Sequence, residues 1–371
     1  MQIKDFKLER YFGIHEFSAK YLLSSSDCDG FRMQEVLDLA SDEERALWEN
    51  LQLGYTESEG SPLLREAIRP FYKNADLDNI LVASPGELNF VLMNTLLTKA
   101  DHVVAIAPSY QSLYEVARTV GCEMSFWHPD TTNWAYQPEK LADLMQANTK
   151  LIILNFPHNP TGSYLTEAAL LEIVAIARKH GSYIFSDEMY HKLLVGDLPE
   201  LPPVQDVYEK GISLWGTSKT FGLAGLRTGW LVSQDKEVLR KILAFKDYLS
   251  ICSSAPSEVL SIIGLNHIDY FLSQNIAKIK ANIACFTDFA TSHQSLISFT
   301  PPRAGSTAFV KLHISETALA FSDKMVAETG IMTLPAEMFD YDGKYIRIGF
   351  GRANMPEILE RFGAYLKQNY E

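Results

Sequence analysis

The chain predicts an α/β fold: a mainly parallel sheet covered by helices on both faces, with a smaller α+β domain after it. Short apolar runs alternate with helix-length segments through the middle of the sequence. Turns rich in glycine, proline and small polar residues close several of those runs. Near Asp269 the texture changes to a long helical stretch, then strand-like runs and a closing helix.

In chain order, 79–83 reads as a strand ending at Ser84-Pro85-Gly86, and 90–97 as a helix. Strands follow at 102–107, 150–155, 183–186 and 211–215. Between the third and fourth strands, apolar residues in 166–180 recur at helical spacing behind Thr166 and Glu167, a helix start. Residues 269–293 read as one helix, 308–313 and 345–349 as strands and 356–369 as the last helix. The expected division is a large domain over 41–268 and a small domain from 1–40 and 269–371. In such sheets ligands bind at the carboxyl ends of the strands.

A length of 371 residues suggests about two domains. Hydrophobic residues at 47% and charged residues at 21% are ordinary for a soluble globular protein. A net charge of −13 argues against non-specific nucleic-acid binding. Cys28, Cys122, Cys252 and Cys285 form no C-x-x-C pair, which fits reduced, buried thiols and a cytoplasmic location. Residues 1–10 lack a signal-peptide core, and no apolar run approaches the ~20 residues that span a bilayer.

The most informative run is Ser213-Leu214-Trp215-Gly216-Thr217-Ser218-Lys219-Thr220-Phe221-Gly222-Leu223-Ala224-Gly225-Leu226-Arg227. A strand ends in small hydroxyl residues, then a lysine, then a Gly-rich turn carrying an arginine. The fold can hold Lys219 with its amine in a cleft, suited to a Schiff base with an aldehyde cofactor. Arg227 is near enough to reach an anion beside it.

Other motifs are ambiguous alone. Asn155-Phe156-Pro157-His158-Asn159-Pro160-Thr161-Gly162 makes a rigid loop that can present the Asn159 amide, or is a plain turn. Asp187-Glu188-Met189-Tyr190 follows the fourth strand, where Asp187 can pair with a protonated ring nitrogen and Tyr190 with a phenolic oxygen, or is a solvated acidic turn. Tyr110 follows the second strand and can stack on a flat cofactor or simply pack. Gly86, Glu87 and Leu88 open a helix whose amides can bind phosphate, with the Glu87 carboxylate turned away. Arg347, among apolar neighbours, calls for a carboxylate or phosphate, or for an internal salt bridge. Together these parts describe one cofactor, pyridoxal 5′-phosphate.

On these motifs, in this order, the chain resembles the class I/II aminotransferases of fold type I from about residue 22 onward. The resemblance implies an aspartate aminotransferase-like large domain of the seven-stranded type. It implies that Lys219 forms the internal aldimine and shuttles the proton, while Asp187 holds the pyridine nitrogen. Asn159 and Tyr190 would contact the phenolic oxygen and Tyr110 would stack on the ring. Arg227, Ser218 and the amides after Gly86 would hold the phosphate, and Arg347 the substrate carboxylate. Tyr55 matches the tyrosine that reaches the neighbouring subunit's phosphate, which implies a homodimer with shared active sites. The substrates implied are an L-amino acid and a 2-oxo acid.

Gly216 stands where many members carry a phosphate-binding serine, which Thr217 or Ser218 can replace. Thr228 replaces an aliphatic residue, and Glu87 an alanine or serine. Ser24-Ser25-Ser26-Asp27-Cys28-Asp29 is only loosely like the family's substrate loop and resembles a capreomycidine synthase-like branch. Elimination or cyclisation on the same scaffold is therefore the main alternative to transamination. A cofactor-sensing regulator is disfavoured, since the segment ahead of the match is too short for a DNA-binding domain. The absence of G-x-G-x-x-G, G-x-S-x-G and H-E-x-x-H disfavours dehydrogenase, hydrolase and metalloenzyme readings. An acidic substrate would need a further cation, for which Arg10, Arg32 and Arg303 are candidates; His15 and Glu16 are candidate pocket residues.

Overall fold

A computed structural model describes residues 2–370. Thirteen strands are labelled here in chain order. They are β1 (Tyr21–Leu22), β2 (Ile80–Ala83), β3 (His102–Ile106), β4 (Glu123–Trp127), β5 (Thr149–Asn155), β6 (Tyr183–Asp187) and β7 (Gly211–Gly216). The remainder are β8 (Gly229–Ser233), β9 (Ile297–Phe299), β10 (Thr307–Leu312), β11 (Ile331–Met332), β12 (Leu334–Pro335) and β13 (Tyr345–Gly349).

The large sheet has seven strands in the order β2-β8-β7-β6-β5-β3-β4. β7, β6, β5, β3 and β4 run parallel, and β8 runs antiparallel to both β7 and β2. Residues of β3, β7 and β8 are buried throughout, as expected of strands covered on both faces. β4 and β8 were not read from the sequence. β4 alternates too weakly to stand out, and β8 follows the Gly-rich turn without a helical segment between them. The helix Glu167–His180 starts where expected: Thr166 Oγ accepts from the Ala169 amide, and Gly181 ends it in the left-handed region at φ 69°.

The second part holds the antiparallel sheet β12-β13-β10-β9, with β1 and β11 paired in parallel beside it. Ile268–Ser292 and Met355–Tyr370 are its long helices, within one or two residues of expectation. Its apolar core joins Phe286, Val310, Phe321, Ile346 and Phe362. Val36 and Leu37 instead pack with Leu64, Trp215 and Val259, beside the large sheet. Gly349 permits a close crossing: a Cβ there would lie 1.7 Å from the Ser25 carbonyl oxygen. The Gly349 amide donates to Leu23 O at 2.8 Å, so residues 23–27 run along the end of β13 and into the cleft.

Candidate active site

β5 and β6 carry the first site residues because their last residues, Asn155 and Asp187, are paired in register. Asn155 Nδ2 donates to the Asp187 carbonyl at 3.0 Å. Its Oδ1 accepts from the Asn159 amide at 2.9 Å, which folds the loop back over the strand end. The Asn159–Pro160 bond is cis. Asp187 is half-buried at the sheet's carboxyl edge and accepts from the Met189 amide at 3.1 Å. Burial pushes its carboxyl up to about 6, against which that amide and the Lys219 charge pull down.

Lys219 follows β7. Its Nζ donates to Ser26 Oγ at 2.9 Å. The Ser26 carbonyl in turn accepts from Tyr190 Oη at 3.2 Å and Ser306 Oγ at 2.7 Å. Arg347 on β13 is 1% exposed. Its Nε and Nη2 donate to the Ser24 carbonyl at 3.1 and 2.8 Å, and its Nη1 to Asn159 Oδ1 at 3.2 Å. Among the described residues it forms no ion pair, so the internal salt bridge considered for it is not the arrangement found. A desolvated guanidinium without a counter-charge is a receptor for a carboxylate.

These groups face one cavity of about 440 Å³. Gly86, Tyr110, Asn159, Asp187, Tyr190, Ser218, Lys219, Arg227 and Arg347 all line it. The helix Pro85–Leu96 points its first turn at the cavity, where Gly86 lies. Nothing lies within 4 Å of a Cβ built on Gly86. Tyr110 donates to Glu9 Oε1 at 2.5 Å and rests against Phe6, with ring centroids 4.8 Å apart.

Three expected residues lie elsewhere. Leu88 requires a correction: its amide is spent on the Ser84 carbonyl at 3.0 Å and its side chain is buried in the core. Glu87 turns its carboxylate to Ser250, accepting from Oγ at 2.7 Å. Tyr55 does not line the cavity and is 89% exposed. Gly216 is explained by packing, since a Cβ there would meet the Thr228 carbonyl oxygen at 2.8 Å. Thr217 is buried with its hydroxyl on the carbonyls of Thr228 and Leu223, leaving Ser218 at the cavity.

Arg10, Arg32 and Arg303 are exposed and do not line the cavity; Arg32 pairs with Glu35. His15 rests on Tyr11, whereas Glu16 does line the cavity. Sequence reasoning missed Leu8, Glu9 and Phe12, brought over the cleft by the helix Lys7–His15. Their i, i+1, i+4 spacing was the available signal.

The family profile for aminotransferase class I and II matches residues 18–362. The chain belongs to the class I and II aminotransferases. It is 25% identical to capreomycidine synthase of Streptomyces vinaceus over 353 residues, covering 94% of this chain and 88% of that one. It is 28% identical to a PLP-dependent aminotransferase of Streptococcus suis 89-1591, whose crystal structure superposes with a TM-score of 0.93 over 100% of both chains. The PLP-dependent cyclase OrfR shares the fold at 24% identity and a TM-score of 0.89, covering 99% of this chain and 98% of that one. This aminotransferase thus has the expected α/β fold and uses pyridoxal phosphate to move an amino group between an amino acid and a 2-oxo acid. No helix among its described residues is long and apolar enough to cross a membrane.

Proposed function

We propose that this cavity is the aminotransferase active site and that Lys219 is its reactive amine. The observation that carries the proposal is the convergence of Lys219, Asp187 and ion-pair-free Arg347 on one cavity. The residues fit the cofactor. A carboxylate whose ionisation is penalised by burial gains most from a cationic ring nitrogen, and the open helix start with Ser218 and Arg227 suits a phosphate. Bound pyridoxal phosphate supplies an aldehyde for the amino group and a ring that absorbs electron density.

The protein's own groups then divide the work. Arg347 orients the α-carboxylate, with Asn159 holding the guanidinium in place. With the cofactor bound, the Lys219 amine would be the base that takes the substrate α-proton and the acid that returns one. Ser26 holds that amine in place between transfers. Asp187 would pair with the ring nitrogen, Asn159 and Tyr190 with the phenolic oxygen, and Tyr110 would pack on the ring. Proton transfer by a placed base typically contributes ~10²–10⁴-fold.

Elimination or cyclisation is the second reading, supported by the similarity to capreomycidine synthase across 94% of the chain. A single-turnover amino-acid screen tests the choice by following cofactor absorbance and product mass together. A 2-oxo acid with the cofactor left in its amine form supports transamination. A cyclised or unsaturated product with the cofactor still in its aldehyde form supports the second reading.

The proposal extends to a homodimer with shared sites. Leu53 and Tyr55 are exposed, as are Tyr248, Leu249 and Ile251. Hydrogen bonds from Ser58 to Asp247 and Ile251 place the two segments side by side, an apolar surface suited to a second copy. Mixing inactive Lys219→Ala and Tyr55→Ala proteins is expected to restore activity through hybrid sites. A cytoplasmic location is supported by four unpaired thiols. The division into 41–268 and a smaller domain is supported by the change of sheet, although Val36 and Leu37 pack with the larger part.

A further inference from the structure

The charges lining the cavity do not balance once the proposed roles are filled. The lining cations are Lys219, Arg227 and Arg347, and the lining carboxylates are Glu9, Glu16, Asp27 and Asp187. In the proposed function the cations serve the aldehyde, the phosphate and the α-carboxylate, and Asp187 serves the ring. Asp27 already has a counter-charge, accepting from Arg352 Nη2 at 3.1 Å. Two carboxylates are left over.

Glu9 accepts the Tyr110 hydroxyl and forms no ion pair among the described residues. The Glu16 side chain has neither a hydrogen bond nor an ion pair among the described residues. Both belong to one helical face, at positions i and i+7, with Phe12 at i+3 between them. Leu8 and Phe12 also line the cavity, so the same helix offers an apolar wall beside the carboxylates. Burial, followed by Asp27 and Glu9, pushes the Glu16 carboxyl up, against which the Arg352 and Lys219 charges pull down.

An independent feature points to the ligand's other end. Arg347, 1% exposed and without an ion pair, faces the same cavity. The cavity therefore holds, besides a carboxylate receptor, two carboxylates without an ion pair and the apolar side chains of Leu8 and Phe12.

We propose that the amino donor is an α-amino acid with a cationic side chain, whose ammonium or guanidinium is read by Glu16 and Glu9 while its methylenes lie on Leu8 and Phe12. This inference rests on the assignment of Lys219 and Arg347 to the reacting centre. An anionic side chain meets like charge in the same place, and none of Arg10, Arg32 and Arg303 is there to receive it. A neutral side chain of equal length leaves the carboxylates unpaired.

The test uses the full chain loaded with pyridoxal phosphate and pairs of near-isosteric amino acids: arginine against citrulline, lysine against norleucine, and glutamate. Single-turnover rates are read with product mass, and binding is read separately by calorimetry. The expected result is that kcat/KM for the cationic member exceeds its neutral counterpart by about tenfold or more, with glutamate slowest. Glu16→Gln is expected to raise KM for arginine about tenfold while changing citrulline little. A neutral or acidic amino acid reacting as well as the cationic ones overturns this inference and leaves the active-site assignment standing. An unchanged arginine-to-citrulline ratio in Glu16→Gln also overturns it. If no amino acid reacts, the active-site assignment fails, and calorimetry decides the charge preference: arginine bound and citrulline not supports it, equal binding overturns it.

Discussion

Arg347 Nη1 donates to Asn159 Oδ1 at 3.2 Å, and that one bond joins the small antiparallel sheet to the loop at the end of β5. The group proposed to grip the substrate is thereby tied to a group proposed to touch the cofactor. With the Ser24 carbonyl taking Nε and Nη2, the guanidinium is fixed before any ligand arrives.

Arg347→Ala is therefore expected to act mainly on substrate binding. Losing a buried charged contact costs about 2–5 kcal/mol, so KM for the amino acid should rise about a hundredfold, with a smaller change in kcat. Steady-state kinetics check this, and an unchanged KM removes Arg347 from the carboxylate role.

The role proposed for Asp187 conflicts with its effect on stability. Its carboxyl is raised to about 6 from 3.8 in the folded protein. Its stabilising contribution is therefore full below about pH 4 and is lost as pH rises through about 6. Asp187→Asn should abolish that slope, making the cofactor-free protein about 1–2 kcal/mol more stable than the parent at pH 7.5 after discounting for partial exposure. Turnover of the cofactor-loaded variant should fall. Thermal unfolding of the cofactor-free proteins across pH checks the first claim and kinetics the second.

Gly349→Ala tests the crossing that delivers Ser26 to Lys219. A methyl group 1.7 Å from the Ser25 carbonyl oxygen forces the backbone apart. A loss of about 3 kcal/mol or more is expected, together with weaker cofactor retention. Chemical denaturation and absorbance of the purified protein report the two effects.

Tyr110→Phe removes the hydroxyl that ties Tyr110 to Glu9 on the N-terminal helix. A neutral loss near ~1 kcal/mol understates the effect because the acceptor is a carboxylate; about 1.5–3 kcal/mol is expected. The consequence should be faster proteolysis of residues 5–16 with the large sheet intact. Limited proteolysis followed by mass spectrometry resolves this.

Much of the site was legible because β5, β6 and β7 are short buried runs that each end in a chemically distinctive loop. Asn159, Asp187 and Lys219 could be placed on their strand ends from local pattern alone. Arg347 was recognisable as a charge in an apolar strand, but its neighbours Ser24 and Asn159 are 323 and 188 residues away and left no local trace. Leu88 was misjudged by one helical position: the N–H four residues after Ser84 belongs to the helix's own ladder. The roof formed by Leu8, Glu9 and Phe12 depends on where the N-terminal helix docks. Its bonds through Gln111, to the Lys7 amide and the Asp5 carbonyl, are long-range as well. Gly216 looked like a missing phosphate ligand, whereas the close approach of Thr228 explains it.

The most direct test of the central claim is borohydride reduction of the cofactor-loaded protein followed by peptide mass mapping. Reduction fixes the cofactor to whichever amine holds it. The account predicts the phosphopyridoxyl mass on the peptide containing Lys219 and on no other, with label and turnover both lost in Lys219→Ala. The label on a different lysine, or turnover near the parent level in Lys219→Ala, would contradict it.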